Sequence, residues 1–88
     1  MKIKEGFTLR DLCGDHIVIG EGLAQVNFNK MLSLNDSAAY LWEQVKDREF
    51  TIEDLVALLT ERYEVSAEKA REDVQKMTAQ WQAEGIIE

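Results

Sequence analysis

The sequence predicts an α+β domain in which a small sheet precedes three helices, and three observations carry that prediction. Apolar and polar residues alternate with a period of two only within the first 34 residues. Beyond them, apolar residues recur at helical spacing in three segments, each opened by a capping residue: Asn35, Thr51 and Ser66. The 88-residue chain has no proline, no internal repeat and no Ser/Gly-rich linker, so residues 1–88 read as a single domain.

The first strand is expected over Phe7–Cys13, with Phe7, Leu9 and Cys13 on related faces and Leu12 breaking strict alternation. Gly14-Asp15 is a turn signal, and His16–Gly20 supplies the return strand of a hairpin. The segment Glu21–Lys30 is either a loop or an extension of a neighbouring strand. Met31–Leu34 is the third strand, with Leu32 and Leu34 on one face and Met31 and Ser33 on the other.

Asn35 caps a first helix over Asp36–Val45, whose acidic first residue suits the positive helix end and whose stripe is Ala38, Leu41, Trp42 and Val45. After a charged connector, Thr51-Ile-Glu-Asp54 matches a capping box, with Asp54 in the place of the usual Glu or Gln. The second helix turns Ile52, Leu55, Val56, Leu59 and Tyr63 inward. Ser66 opens a third helix reaching about Glu84, lined by Ala70, Val74, Met77 and Trp81. Gly85 ends it in a left-handed conformation and lets Ile86 and Ile87 fold back on the core.

Composition narrows the function. Hydrophobic residues make up 45% and charged residues 31%, as in a soluble globular domain. No apolar run approaches the roughly 20 residues of a membrane span, and the N-terminus lacks a signal-peptide h-region, so the expected compartment is the cytoplasm. A lone Cys13, unable to form an internal disulfide, fits a reducing compartment. The net charge is -7, with eight acids and six bases before residue 50 and nine acids and four bases after it. Such a field repels nucleic acid and anionic membranes, and it leaves basic or neutral peptides as compatible partners. By itself it also serves plain solubility.

The residues needed for catalysis are absent from the pattern. One cysteine and one histidine exclude a Cys/His zinc site, and no glycine-rich phosphate loop is present, so neither metal nor cofactor is expected. Cys13 and His16 are the residue types of a nucleophile–base pair, yet they flank a tight turn with no orienting partner; a packed thiol and a surface imidazole are the simpler reading. Glu53/Asp54 and Glu72/Asp73 are neighbours on helices, pointing in different directions, and chiefly solvate their faces. Asp73 differs, because it flanks Val74 at the edge of the buried stripe, where a carboxylate borders a groove. Trp42, Tyr63 and Trp81 fall on apolar stripes and read as core, Trp81 being the one placed best for ligand contact.

Two interaction surfaces follow from the layout. Strands with a helical trio also describe winged helix-turn-helix DNA-binding regulators, but the third helix opens with three acids (Glu68, Glu72, Asp73) against two bases (Lys69, Arg71), a poor match to the major groove. The third strand lies at a sheet edge, where a peptide can add as a further strand unless a helix or residues 21–30 cover it. A small structural or interaction subunit pairing through that edge is the remaining alternative.

The chain resembles the PqqD-like family, the precursor-recognition elements of ribosomally made, post-translationally modified peptides. The residues that carry the resemblance are Leu34-Asn35, Ala38 or Ala39 with Leu41-Trp42, Phe50–Leu55, Tyr63-Glu-Val65, Asp73-Val74 and Gly85-Ile-Ile87, in order along nearly the whole chain. The resemblance implies a winged-helix-like fold of three antiparallel strands on three helices, without catalytic activity. It implies that a precursor leader lies along strand three against helix three, for presentation to a radical S-adenosylmethionine or other tailoring enzyme. Matched here, the peptide-facing residues are Met31, Leu32, Ser33 and Leu34, with Lys69, Asp73, Lys76, Met77 and Gln80 opposite.

Overall fold

The structure, a computed structural model, describes residues 1–20 and 32–87. The expectations for Met31 and for the Glu21–Lys30 segment lie outside the described residues. Strands β1 (Phe7–Leu12), β2 (Asp15–Gly20) and β3 (Leu32–Leu34) form an antiparallel sheet in the order β1-β2-β3, followed by α1 (Asp36–Val45), α2 (Ile52–Arg62) and α3 (Ala67–Ala83). This is the α+β arrangement expected from the sequence.

The hairpin turn sits one residue earlier than the Gly14-Asp15 signal suggested. Leu12 pairs with Asp15, leaving a two-residue loop of Cys13 (φ 53°) and Gly14 (φ 85°). A right-twisted hairpin favours a tight turn with positive φ at both central residues, and this requirement overrides the preference of Asp15 for a turn. Cys13 is therefore exposed at the tip and is not a packed thiol on a strand face.

The helices begin where their caps stand. The Asn35 side chain accepts the Ala38 N–H at 2.8 Å. Thr51 and Asp54 complete a reciprocal capping box, at 3.1 Å from the Asp54 N–H to Thr51 Oγ1 and 3.0 Å from the Thr51 N–H to Asp54 Oδ2. Ser66 Oγ accepts the Lys69 N–H at 3.2 Å. At the far end of α3, Gly85 adopts φ 75°, and the Gly85 and Ile86 N–H groups donate to the Gln82 and Trp81 carbonyls at 3.0 and 2.9 Å. This double closure of the helix end is the Schellman arrangement, and it returns Ile86 and Ile87 to the core.

The core joins Val18 and Leu34 of the sheet to Leu41, Trp42, Val45, Phe50, Leu55, Leu59, Ala70, Val74, Trp81, Ile86 and Ile87. Trp42 and Trp81 meet edge to face, with centroids 5.3 Å apart and planes at 78°. Two assignments shift. Tyr63, expected in the core, is exposed and packs edge-on against Tyr40 at 6.2 Å, because α2 ends at Arg62 and the extended backbone of Tyr63 leaves the helical stripe. In α3 the third residue of the stripe is shared: Thr78 is buried and Met77 only half-buried. The Thr78 hydroxyl donates back to the Val74 carbonyl at 3.0 Å, which makes its burial tolerable.

Residues before β1, unassigned from the sequence, tie both ends of the chain together. Ile3 bridges Ile87, the Lys4 N–H donates to the Ile86 carbonyl at 2.8 Å, and the Phe50 N–H donates to the Met1 carbonyl at 2.8 Å.

Candidate functional site

β3 is an edge strand. β2 pairs with one side of it, Leu34 opposite His16 and Leu32 opposite Val18, and no strand pairs with its other side among the described residues. Next to it opens a groove of about 320 Å³ between β3, the first half of α1 and the stretch of α3 from Asp73 to Trp81. Leu34, Ala38, Leu41, Leu59, Val74 and Trp81 bring buried apolar side chains to it, while Ser33, Asn35, Ser37, Asp73, Lys76 and Gln80 give it polar groups. Past the N-terminus of α1, a neighbouring hollow shares Asn35, Ser37, Leu59 and Asp73 and continues to Tyr63 and Val65.

Of the residues singled out from the sequence, Ser33, Leu34, Asp73, Lys76, Met77 and Gln80 converge on this groove. Leu32 instead packs half-buried against the core. Lys69 stands one turn before Asp73 and is paired with it at 3.0 Å, outside the groove lining. Asn35, Ser37, Ala38, Leu41, Leu59 and Val74 were not anticipated in this role, whereas Trp81 had been weighed for ligand contact. For Ala38, Leu41, Leu59 and Val74 helical periodicity reported only that they are buried, and a residue can close the core on one side while it floors a groove on the other. Asp73, flagged because it borders Val74, was the one whose neighbours in sequence signalled a groove.

The charges of α3 are internally matched. Besides Lys69–Asp73, Lys76 pairs with Glu72 at 3.1 Å, and Arg71 reaches across to Glu53 of α2, with Nη2 2.6 Å from Oε2. The Asp73 carboxylate, by hydrogen bond and then by charge, holds the Lys69 ammonium above its ordinary range, and Arg71 likewise holds Glu53 below the ordinary carboxylate range. Every cation of α3 thus faces a carboxylate, an arrangement unsuited to displacing counterions from a phosphate backbone.

His16 makes no pair with Cys13. Its Nδ1 lies 2.6 Å from Asp11 Oδ1 and its Nε2 2.9 Å from Asp36 Oδ1, so both ring nitrogens are taken. Among the described residues no group of three or more His, Cys, Asp or Glu side chains is placed to hold a metal ion, and no helix is long and apolar enough to cross a membrane.

The arrangement therefore sets a strand edge that is unpaired among the described residues, with its main-chain donors and acceptors, beside an apolar-floored groove. The family model for coenzyme PQQ synthesis protein D (PqqD) matches residues 16–87. No curated protein and no solved structure matches the chain.

Proposed function

This chain belongs to the PqqD family, and on that premise we propose that it is a non-catalytic peptide chaperone. In this reading, residues 1–88 act as one cytoplasmic unit that binds the leader of a ribosomally made precursor peptide and presents it to a tailoring enzyme, a radical S-adenosylmethionine enzyme first among them. Membership in the family ties the chain to coenzyme PQQ synthesis and peptide modification. The leader and the enzyme are the proposal.

The observation that carries it is the open edge of β3 beside a groove walled by α3. A peptide adding there gains main-chain hydrogen bonds from β3, and alternate side chains enter the groove, which separates affinity from specificity. Six extended residues span roughly 20 Å, and the stretch of α3 that lines the groove, from Asp73 to Trp81, is about 12 Å long, so about four strand residues face the groove at once. Ser33, Leu34, Asp73, Lys76, Met77 and Gln80 form the binding surface, with Leu32 continuing the strand and Lys69 paired to Asp73.

The test is titration of the ¹⁵N-labelled chain with the synthetic leader of a precursor encoded beside its gene. Main-chain amide shifts are expected to cluster at 32–35 and 69–81, and Ser33→Pro, which removes a strand donor, is expected to weaken binding. Shifts confined to the outer face of α2, or no binding by such a leader, would overturn the proposal.

A further inference from the structure

Trp81 is fully buried, yet its indole Nε1 is the one buried side-chain nitrogen or oxygen among the described residues with no hydrogen-bond partner. A buried N–H without an acceptor bears its whole desolvation penalty, so native chains rarely keep one without a use for it. Thr78, the other buried polar side chain of α3, shows the usual solution, since its hydroxyl donates to backbone carbonyls of its own helix. The indole has no such recourse: its ring is packed edge to face on Trp42, which restrains it from turning toward another acceptor. Trp81 also lines the groove beside β3.

We propose that Trp81 Nε1–H is the groove's anchoring donor, satisfied by a main-chain carbonyl of the bound strand; this rests on the peptide-binding reading above. Carbonyls of a strand paired to β3 point alternately toward β3 and away from it, and those pointing away face the α3 wall. The donor is sealed in the free protein. Met77, half-buried in the same groove and one turn before Trp81, is the side chain suited to move aside, being unbranched with three rotatable bonds. Binding thus relieves a penalty that the free protein carries. Because the acceptor belongs to the main chain, the anchor works irrespective of peptide sequence, and selectivity is left to the side chains in the groove.

The test follows the Trp81 indole N–H resonance of the ¹⁵N-labelled chain while the synthetic leader is added, with main-chain amides read in the same spectra. The indole signal is expected to move downfield in step with the amides at 32–35 and 69–81, and to do so equally for leaders whose side chains are truncated to alanine one at a time. Trp81→Phe should weaken the leader about threefold to tenfold, the usual worth of one net hydrogen bond. If that variant folds poorly, chemical synthesis of the chain with a benzothienyl-alanine at position 81 keeps the ring shape and removes only the N–H. It should bind less tightly by the same factor, with thermal stability equal to or above that of the parent. Amide shifts with an unmoved indole, an indole shift lost on truncating a single leader side chain, or undiminished binding by the benzothienyl chain would overturn the anchor while leaving the peptide reading standing. Absence of any amide shift would instead remove the peptide reading itself.

Discussion

His16 Nε2 lies 2.9 Å from Asp36 Oδ1, joining the central strand of the sheet to the first residue of α1, while Nδ1 of the same ring lies 2.6 Å from Asp11 on β1. Ionised carboxylates only accept hydrogen bonds, and a neutral imidazole has one N–H, so both contacts form together only on the imidazolium. The hydrogen bonds to Asp11 and then Asp36 accordingly raise the His16 pKa above 6.5. A raised pKa means that the folded state binds the proton more tightly. The stabilisation is complete below the unfolded value near 6.5 and is lost as pH rises through the folded value. The denaturation midpoint should therefore decline as pH rises above about 6.5, and His16→Gln should flatten that slope. An NMR titration placing His16 at or below 6.5 would contradict the clamp.

Gly85 is required for its backbone. Its φ of 75° strains any residue with a Cβ, although nothing lies within 4 Å of where a Cβ would stand. Gly85→Ala should destabilise by about 1–2 kcal/mol through conformation alone, and Gly85→Asn by less, since asparagine tolerates the left-handed region. Urea denaturation checks both, and an alanine variant as stable as the parent would refute the closure of α3 described above.

Trp42 and Leu55 are 1% and 0% exposed and come from helices that meet in the core. Truncating either to alanine should cost roughly 2–5 kcal/mol, a large share of the folding free energy of so small a domain. Losses under about 1 kcal/mol for both, by chemical denaturation, would mean that these helix faces are misassigned.

Asp73→Lys removes the carboxylate that faces Lys69 and leaves a cluster of like charges on the groove wall. The ion pair is exposed and contributes little to stability, so the fold should persist with little change in midpoint. Binding of a leader carrying basic residues at the groove should weaken about tenfold, and the loss should shrink as salt is raised, because the repulsion is screened. Calorimetric titrations at two salt concentrations distinguish this from a general loss of structure.

The features legible in the sequence are those whose partners lie three to five residues apart. Asn35 with Ala38, Thr51 with Asp54, Ser66 with Lys69, and Trp81 with Ile86 are local contacts, and they placed the helix ends within about a residue. The burial of Leu55, Val74 and Trp81 followed as directly from helical spacing. The groove was legible in part: Asp73 was marked by its place beside Val74 at the edge of the apolar stripe, while Ser33 and Leu34 on one wall and Lys76, Met77 and Gln80 on the other were named through resemblance to a family.

The sequence alone determined which segments become strands and helices and which of their faces turn inward, because capping and amphipathic spacing act over a single turn of chain. Tertiary structure decided what depends on contacts between distant residues. Ile3 meets Ile87, Arg71 meets Glu53, and His16 is shared between Asp11 and Asp36 only after the sheet and helices dock. Docking also set the choice between Met77 and Thr78, adjacent residues 100° apart on a helix, for a place in the core. It left the Trp81 indole beside a groove with no acceptor, because fitting its ring against Trp42 outweighed satisfying one N–H.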